Sequence, residues 1–267
     1  MTKIGLVAGE GRLPVVFAKE AKARGDEVVG FGLIGLTSKE LDGLVDRMHW
    51  FKWGELQKAL FALVTERVKK IILLGKIKKT LLLKDEKALD EKARGLMNGL
   101  KDRKDYSILN TVAALIGKMG IELIDVASYL GDLMPARGVL TARKPTEEET
   151  KNIEVGRLIV SKLAEFDAGQ AACVKDGCAI ALEGAEGTDD TIRRAGLLTD
   201  GGFTVVKMAR PNQDLRLDVP LVGLDTLKTL IDAKGTCLAL EAKKTLLMDR
   251  EDLITLADKS NICIAII

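Results

Sequence analysis

The chain is poor in the residues that most often carry enzymatic proton transfer and metal binding: its 267 residues include one histidine and four cysteines. With His49 alone, no Ser-His or Cys-His pair can be built beyond what that imidazole supplies, and within RMHWFKWG it reads as a packed or surface residue. Cys173, Cys178, Cys237 and Cys263 are scattered over apolar or strand-like stretches. Cys-x4-Cys beside a single histidine fits no common zinc pattern, so the four read as small buried thiols. Charge of one sign is missing too. Lys plus Arg total 41 against 39 Asp plus Glu, and a net charge of +2 exerts no general pull on nucleic acid. No apolar run approaches the roughly 18 residues of a membrane span, and no charged-then-apolar leader precedes KIGLVAG, so a cytoplasmic address is expected.

What is present is enough apolar material, 47% of the chain beside 30% charged, for one large domain or two modest ones. Up to about residue 130, short apolar runs alternate with helix-like segments: KIGLVAG, LPVVFAKEAKARG, DEVVGFGLIG, WGELQKALFALVTERV, KKIILLG and IELIDV. This alternation predicts an α/β domain with a parallel sheet and crossover helices. In GELQKALFALVTERVKK, Leu56, Leu60, Leu63, Val64 and Val68 recur near a 3.6-residue period, the pattern of a helix covering a sheet. Polar, proline-bearing texture sets 135–152 apart as a linker between a first domain, 1–134, and a second, 153–267. The second is again α/β. Its hairpin at 171–183, turning at Lys175-Asp176-Gly177, predicts a mixed sheet.

The loop GLVAGEGRLP places Gly9 and Gly11 after the first strand, but Pro14 stands where a dinucleotide loop needs its third glycine. The second strand also lacks the acid that would meet a ribose. NAD is therefore disfavoured. Two glycines and a helix starting at Leu13-Pro14 still leave phosphate contact open beside a purely structural turn.

The densest polar cluster is EGAEGTDDTIRRAG. Thr188 as a helix cap, Asp189 and Asp190 in the first turn, and Arg193 and Arg194 as their partners give it a structural reading. Glu183, however, ends an apolar strand where a carboxylate gains nothing from packing and where α/β sites form. Downstream, KMARPNQDLRLDVPLVG adds Lys207, Arg210, Gln213, Asp214, Arg216 and Asp218. Acids that hold Mg²⁺ and cations that neutralise phosphate oxygens are what metal-assisted phosphoryl chemistry requires. The basic stretch at Lys76, Lys78 and Lys79 reads as a solvated loop or as a contact for phosphate or an anionic membrane surface.

Taken in order, GLVAGEGRLP, WGELQKAL, PARGVL, DAGQAACVKDGCAIALEGAEGTDDTIRRAG and RPNQDLRLDVPLVG resemble the LpxI family of UDP-2,3-diacylglucosamine pyrophosphatases. The resemblance implies an N-terminal Rossmann-like domain and a C-terminal α/β domain enclosing the substrate, and Mg²⁺-dependent hydrolysis to UMP and 2,3-diacylglucosamine 1-phosphate in lipid A biosynthesis. It implies a lipid-linked nucleotide sugar as partner, peripheral contact with the inner membrane and no nucleic acid, and it admits a homodimer. Carried across, Asp218, Asp189, Arg194 and Arg216 would be catalytic. Gly9, Gly11, Leu13, Pro14, Gln170, Thr188, Arg193, Lys207 and Gln213 would bind substrate, and Asp218, Glu183, Glu186 and Asp214 would hold the metal. The alternative is a non-catalytic protein that binds a nucleotide sugar or lipid phosphate.

Overall fold

The computed structural model describes residues 1–77, 88–100, 105–210 and 213–267. They form two compact units, Met1–Leu130 with Asp214–Asp218, and Gly131–Gln213 with Val219–Ile267.

In the first unit the chain runs β1 (Lys3–Ala8), α1 (Leu13–Ala23), β2 (Glu27–Leu33), β3 (Arg47–Phe51), α2 (Leu56–Thr65), β4 (Lys70–Leu74), α3 (Glu91–Asn98), α4 (Asp105–Lys118), β5 (Glu122–Leu123) and α5 (Ala127–Leu130). The strands make one parallel sheet in the order β3-β2-β1-β4-β5. Ile4 and Leu6 of β1, Ile71 and Ile72 of β4 and Phe17 of α1 are fully buried, as a sheet covered on both faces requires. The third strand, RMHWF, lacks strict alternation and is the one element of this sheet that the periodicity does not announce. Val64, expected on the covered face of α2, is 61% exposed, and Leu63 is the residue that α2 buries.

His49, on β3, is a packed residue. Its ring stacks on Phe31 at 5.5 Å and its Nε2 donates to Glu66 at 2.9 Å. The same carboxylate accepts from Arg47 at 2.9 Å and Lys3 at 3.2 Å. The His49 hydrogen bond does most to hold the Glu66 carboxyl below its usual value; burial opposes it, and Lys3 and Arg47 add to it. A depressed carboxylate contributes stability that is fully present above its unfolded value, near 4.5, and is lost as the pH falls through the folded one. Glu66→Gln is therefore expected to lower Tm at neutral pH and to flatten the decline in Tm below pH 4.5. Equal acid slopes for both proteins in a pH series of melting curves would refute this.

The second unit runs β6 (Gly138–Val139), α6 (Glu147–Glu165), β7 (Ala171–Lys175), β8 (Cys178–Leu182), α7 (Thr188–Leu198), β9 (Thr204–Lys207), β10 (Leu221–Val222), α8 (Leu224–Asp232), β11 (Cys237–Leu240), β12 (Leu246–Leu247), α9 (Arg250–Lys259) and β13 (Cys263–Ile266). Its main sheet, β6-β13-β11-β9-β7-β8, is mixed: β9, β11 and β13 are parallel, and β7 runs against both β8 and β9. The β7–β8 hairpin turns at Asp176-Gly177, both at positive φ, 51° and 70°, as a two-residue turn with the twist of its strands demands. Ile153 and Val160 of α6 pack on one face of the sheet, against Ala172, Val206, Cys237, Ala239 and Cys263. Ile192, Leu227, Leu230 and Leu253 of α7, α8 and α9 cover the other. Cys173, Cys237 and Cys263 are buried thiols as expected, but Cys178, at the start of the outer hairpin strand, is exposed.

The stretch 135–152 is not a linker in structure. Gly138–Val139 pairs antiparallel with β13, and α6 begins inside the stretch at Glu147. Its acidic run is a helix start: Thr146 Oγ1 accepts from the Glu149 N–H at 3.1 Å and Glu149 Oε2 accepts from the Thr146 N–H at 2.8 Å, the reciprocal pairing of a capping box.

Candidate functional site

In the second unit, β8, β9, β11 and β13 all point the same way, so their carboxyl ends share one edge of the sheet. Ligands of α/β sheets bind outside that edge. Three side chains of the chain's polar clusters arrive there: Glu183 directly after β8, Lys207 as the last residue of β9, and Thr188 as the first of α7. Gln170, just before β7, joins them because Ala171 pairs with Lys207.

These residues form one hydrogen-bonded chain. Lys207 Nζ donates to Thr188 Oγ1 at 2.9 Å and to the Leu221 carbonyl at 3.4 Å. Thr188 Oγ1 donates to Glu183 Oε1 at 2.9 Å, and Glu183 Oε2 accepts from the Gln170 N–H at 2.8 Å. Thr188 is therefore not the cap of α7. The cap position is Gly187, at φ 87°, which offers no side-chain acceptor.

The neighbouring acids are held by their own surroundings. Glu186 Oε1 accepts from Arg194 at 2.6 Å, Glu186 Oε2 accepts from the Gly184 N–H at 3.1 Å, and Arg194 also donates to the Leu182 carbonyl at 2.6 Å. Its own backbone N–H, and then Arg194 against some desolvation, hold the Glu186 carboxyl below its ordinary value. Asp189 accepts from Thr226 Oγ1 at 2.8 Å, which ties α7 to α8, and Arg193 pairs with Asp190 on the surface.

The loop after β9 is anchored at the same edge. Arg210 Nε donates to Asp167 Oδ1 at 2.6 Å, the Arg210 N–H donates to Gln213 Oε1 at 2.9 Å, and the Ala209 N–H donates to Glu241 Oε2 at 2.8 Å. Asp167 and Glu241 were missed from sequence. Glu241 has a legible signal, since it follows the apolar strand CLAL just as Glu183 follows CAIAL.

In the first unit, Gly9 and Gly11 sit at the carboxyl end of β1, next to β4, where the strand order reverses. The Gly9 N–H donates to the Leu74 carbonyl at 2.8 Å, and Glu10 and Lys76 exchange backbone bonds at 2.8 and 2.9 Å. A Cβ on Gly9 would lie 2.6 Å from the Lys76 carbonyl oxygen, so close packing of the chain on itself already accounts for that glycine. Gly11, at φ 106°, faces open space, while Leu13 and Pro14 are buried under the first turn of α1. Lys76 is exposed; Lys78 and Lys79 lie outside the described residues.

Asp214–Asp218 is a turn grouped with the first unit. Arg216 clasps Asp214 through Nε at 2.9 Å and through Nη2 at 2.6 Å, and that pairing chiefly lowers the Asp214 carboxyl. Arg216 lines an open cavity of about 610 Å³ with Thr2, Arg24, Lys70 and Tyr129. Thr2 and Lys70 stand at the amino ends of β1 and β4, so the structure does not bring Arg216 to the glycine turn at their carboxyl ends.

Within each unit, among the described residues, no group of three or more His, Cys, Asp or Glu side chains is placed to hold a metal ion. The expected ligands divide between the units, Glu183 and Glu186 in the second and Asp214 and Asp218 in the first.

Two family models match the chain, the LpxI N-terminal domain over residues 3–133 and the LpxI C-terminal domain over 136–265. The UDP-2,3-diacylglucosamine pyrophosphatase LpxI of Caulobacter vibrioides is 28% identical over 271 residues, which cover 97% of this chain and 95% of that protein. Among solved structures, a biotin carboxylase–β,γ-ATP complex from Campylobacter jejuni aligns at 10% identity with a TM-score of 0.25, over 74% of this chain and 42% of that one.

Proposed function

The chain belongs to the LpxI family, and from that premise we propose that it hydrolyses the pyrophosphate bond of UDP-2,3-diacylglucosamine, giving UMP and 2,3-diacylglucosamine 1-phosphate for lipid A biosynthesis. The observation that carries this reading is the match of both domain models, in order, over 3–133 and 136–265.

The chemistry of the second unit's carboxyl edge supports it. Water attacks one phosphorus of the anhydride, the bridging P–O bond breaks, and the negative charge gathering on the phosphate oxygens must be met by cations and N–H groups. Lys207 and the open first turn of α7 supply both at one edge. Asp218, in the RLDVP block, is the acid proposed to orient the water. Arg194 stays bound to Glu186 and the Leu182 carbonyl and so shapes the loop before α7.

Mg²⁺ typically binds through substrate phosphates, water and one or two carboxylates rather than a dedicated protein cage. When bound it would neutralise pyrophosphate charge and lower the pKa of water. A chelator is expected to stop UMP release from the purified protein, and Mg²⁺ to restore it; release that continues in excess EDTA would remove the metal from the proposal. A protein that binds the substrate but releases no UMP under either condition would instead be a nucleotide-sugar binder.

Two acyl chains tie the substrate to a bilayer, so the proposal places the protein in the cytoplasm, peripheral to the inner membrane. Among the described residues no helix is long and apolar enough to cross a membrane. A homodimer is compatible with this reading.

A further inference from the structure

Glu183 directly follows β8 at the proposed phosphate edge, and its contacts tie it to its neighbours in the chain. Both carboxylate oxygens already serve the protein, Oε1 accepting from Thr188 and Oε2 from the Gln170 N–H. The backbone is built around this: a Cβ on Gly169 would come within 2.2 Å of the Glu183 carbonyl oxygen, so the strand end and the 169–170 segment are pressed together.

The hydrogen-bond directions follow from the chemistry of the groups. An ammonium is only a donor, so Thr188 Oγ1 must accept from Lys207. The hydroxyl has a single proton, and an ionised carboxylate only accepts, so that proton goes to Glu183. Gln170 N–H fixes the carboxylate from its far side. The result is a directional chain, Lys207 to Thr188 to Glu183, in which the carboxylate orients the hydroxyl and the hydroxyl orients the ammonium.

Resting on the functional reading above, we infer that Glu183 is a positioning residue. Through Thr188 it holds the Lys207 ammonium at the carboxyl edge of the second sheet, where that ammonium meets a phosphate of the substrate. Glu183 itself touches neither substrate nor metal. Removing it leaves Lys207 in place in the chain but free to take other rotamers.

The test is steady-state kinetics of UMP release from UDP-2,3-diacylglucosamine, with Mg²⁺ titrated, for wild type, Glu183→Gln, Thr188→Ala, Thr188→Ser, Lys207→Ala and the Glu183→Gln/Lys207→Ala double variant. Each protein is checked for folding by thermal melting. Glu183→Gln and Thr188→Ala are each expected to lose about tenfold in kcat/KM, the scale of one hydrogen bond to a charged group. Thr188→Ser, which keeps the hydroxyl, recovers most of the Thr188→Ala loss. The double variant is no worse than Lys207→Ala alone, because the carboxylate acts through the lysine. The Mg²⁺ concentration for half-maximal rate stays within about twofold of wild type for Glu183→Gln, whereas loss of a metal ligand typically weakens binding tenfold or more.

Multiplicative losses in the double variant, a raised Mg²⁺ requirement in Glu183→Gln, or unchanged kcat/KM in Glu183→Gln and Thr188→Ala would each overturn the inference while leaving the functional reading intact. A wild type that releases no UMP would overturn that reading and this inference with it.

Discussion

Asp218→Ala is expected to lower UMP release at least about a hundredfold while Tm moves by only a few degrees. The split between activity and stability comes from how the turn is built. Asp214 clasps Arg216 through both carboxylate oxygens, and its carbonyl accepts from the Leu217 N–H at 2.9 Å and the Asp218 N–H at 3.2 Å. The backbone of the turn therefore survives truncation at position 218. Asp218→Asn keeps the shape and removes the charge, so it should be nearly as inactive. Asp214→Ala, by contrast, should loosen the turn. Near-normal turnover by Asp218→Ala in a discontinuous UMP assay would end the assignment of that acid.

The second large effect concerns stability. Glu149→Ala is expected to destabilise the second unit by about 3 to 5 kcal/mol, because it strands a half-buried arginine. Arg143 donates to Glu149 at 2.7 and 2.8 Å, to the Thr236 carbonyl at 2.6 Å and to the Asn261 carbonyl at 3.0 Å, and the Glu149 side chain is 8% exposed. Burial alone would raise the Glu149 carboxyl, but Arg143 and the Thr146 N–H outweigh it and leave it below its ordinary value. The truncation also deletes half of the capping box at the start of α6. For a unit of this size the expected fall in Tm is on the order of 10 °C. Glu149→Gln retains an acceptor for the Thr146 N–H and should fall less. A loss under about 1 kcal/mol in urea titration of Glu149→Ala would show that water, rather than the carboxylate, satisfies Arg143.

Both predictions turn on segments that read as polar loops. In TEEE the spacing of Thr146 and Glu149 already spells a capping box, so the start of α6 was legible once charge was read as helix chemistry rather than as linker texture. RMHWF was harder. As an edge strand of the parallel sheet it buries Phe51 and leaves Arg47 to reach Glu66, and an edge strand need not alternate. Thr188 was misread for a different reason. A threonine before two acids is a common cap pattern, and only the glycine at φ 87° before it shifts the cap by one position.

The alternation of apolar runs with amphipathic segments, the Asp-Gly turn and the blocks that resemble the family were properties of the chain itself. Periodicity and turn chemistry act over a few residues, so they settled the α/β class and the mixed second sheet, while the ordered blocks carried the resemblance to the family. Which polar side chains meet one another was decided by tertiary structure alone. Glu183 and Lys207 both bond to Thr188 because the ends of β8 and β9 and the start of α7 share one edge, and Gly9 is a glycine because Lys76 passes beside it. Contacts between residues far apart in sequence depend on strand order and register, and no local pattern encodes those.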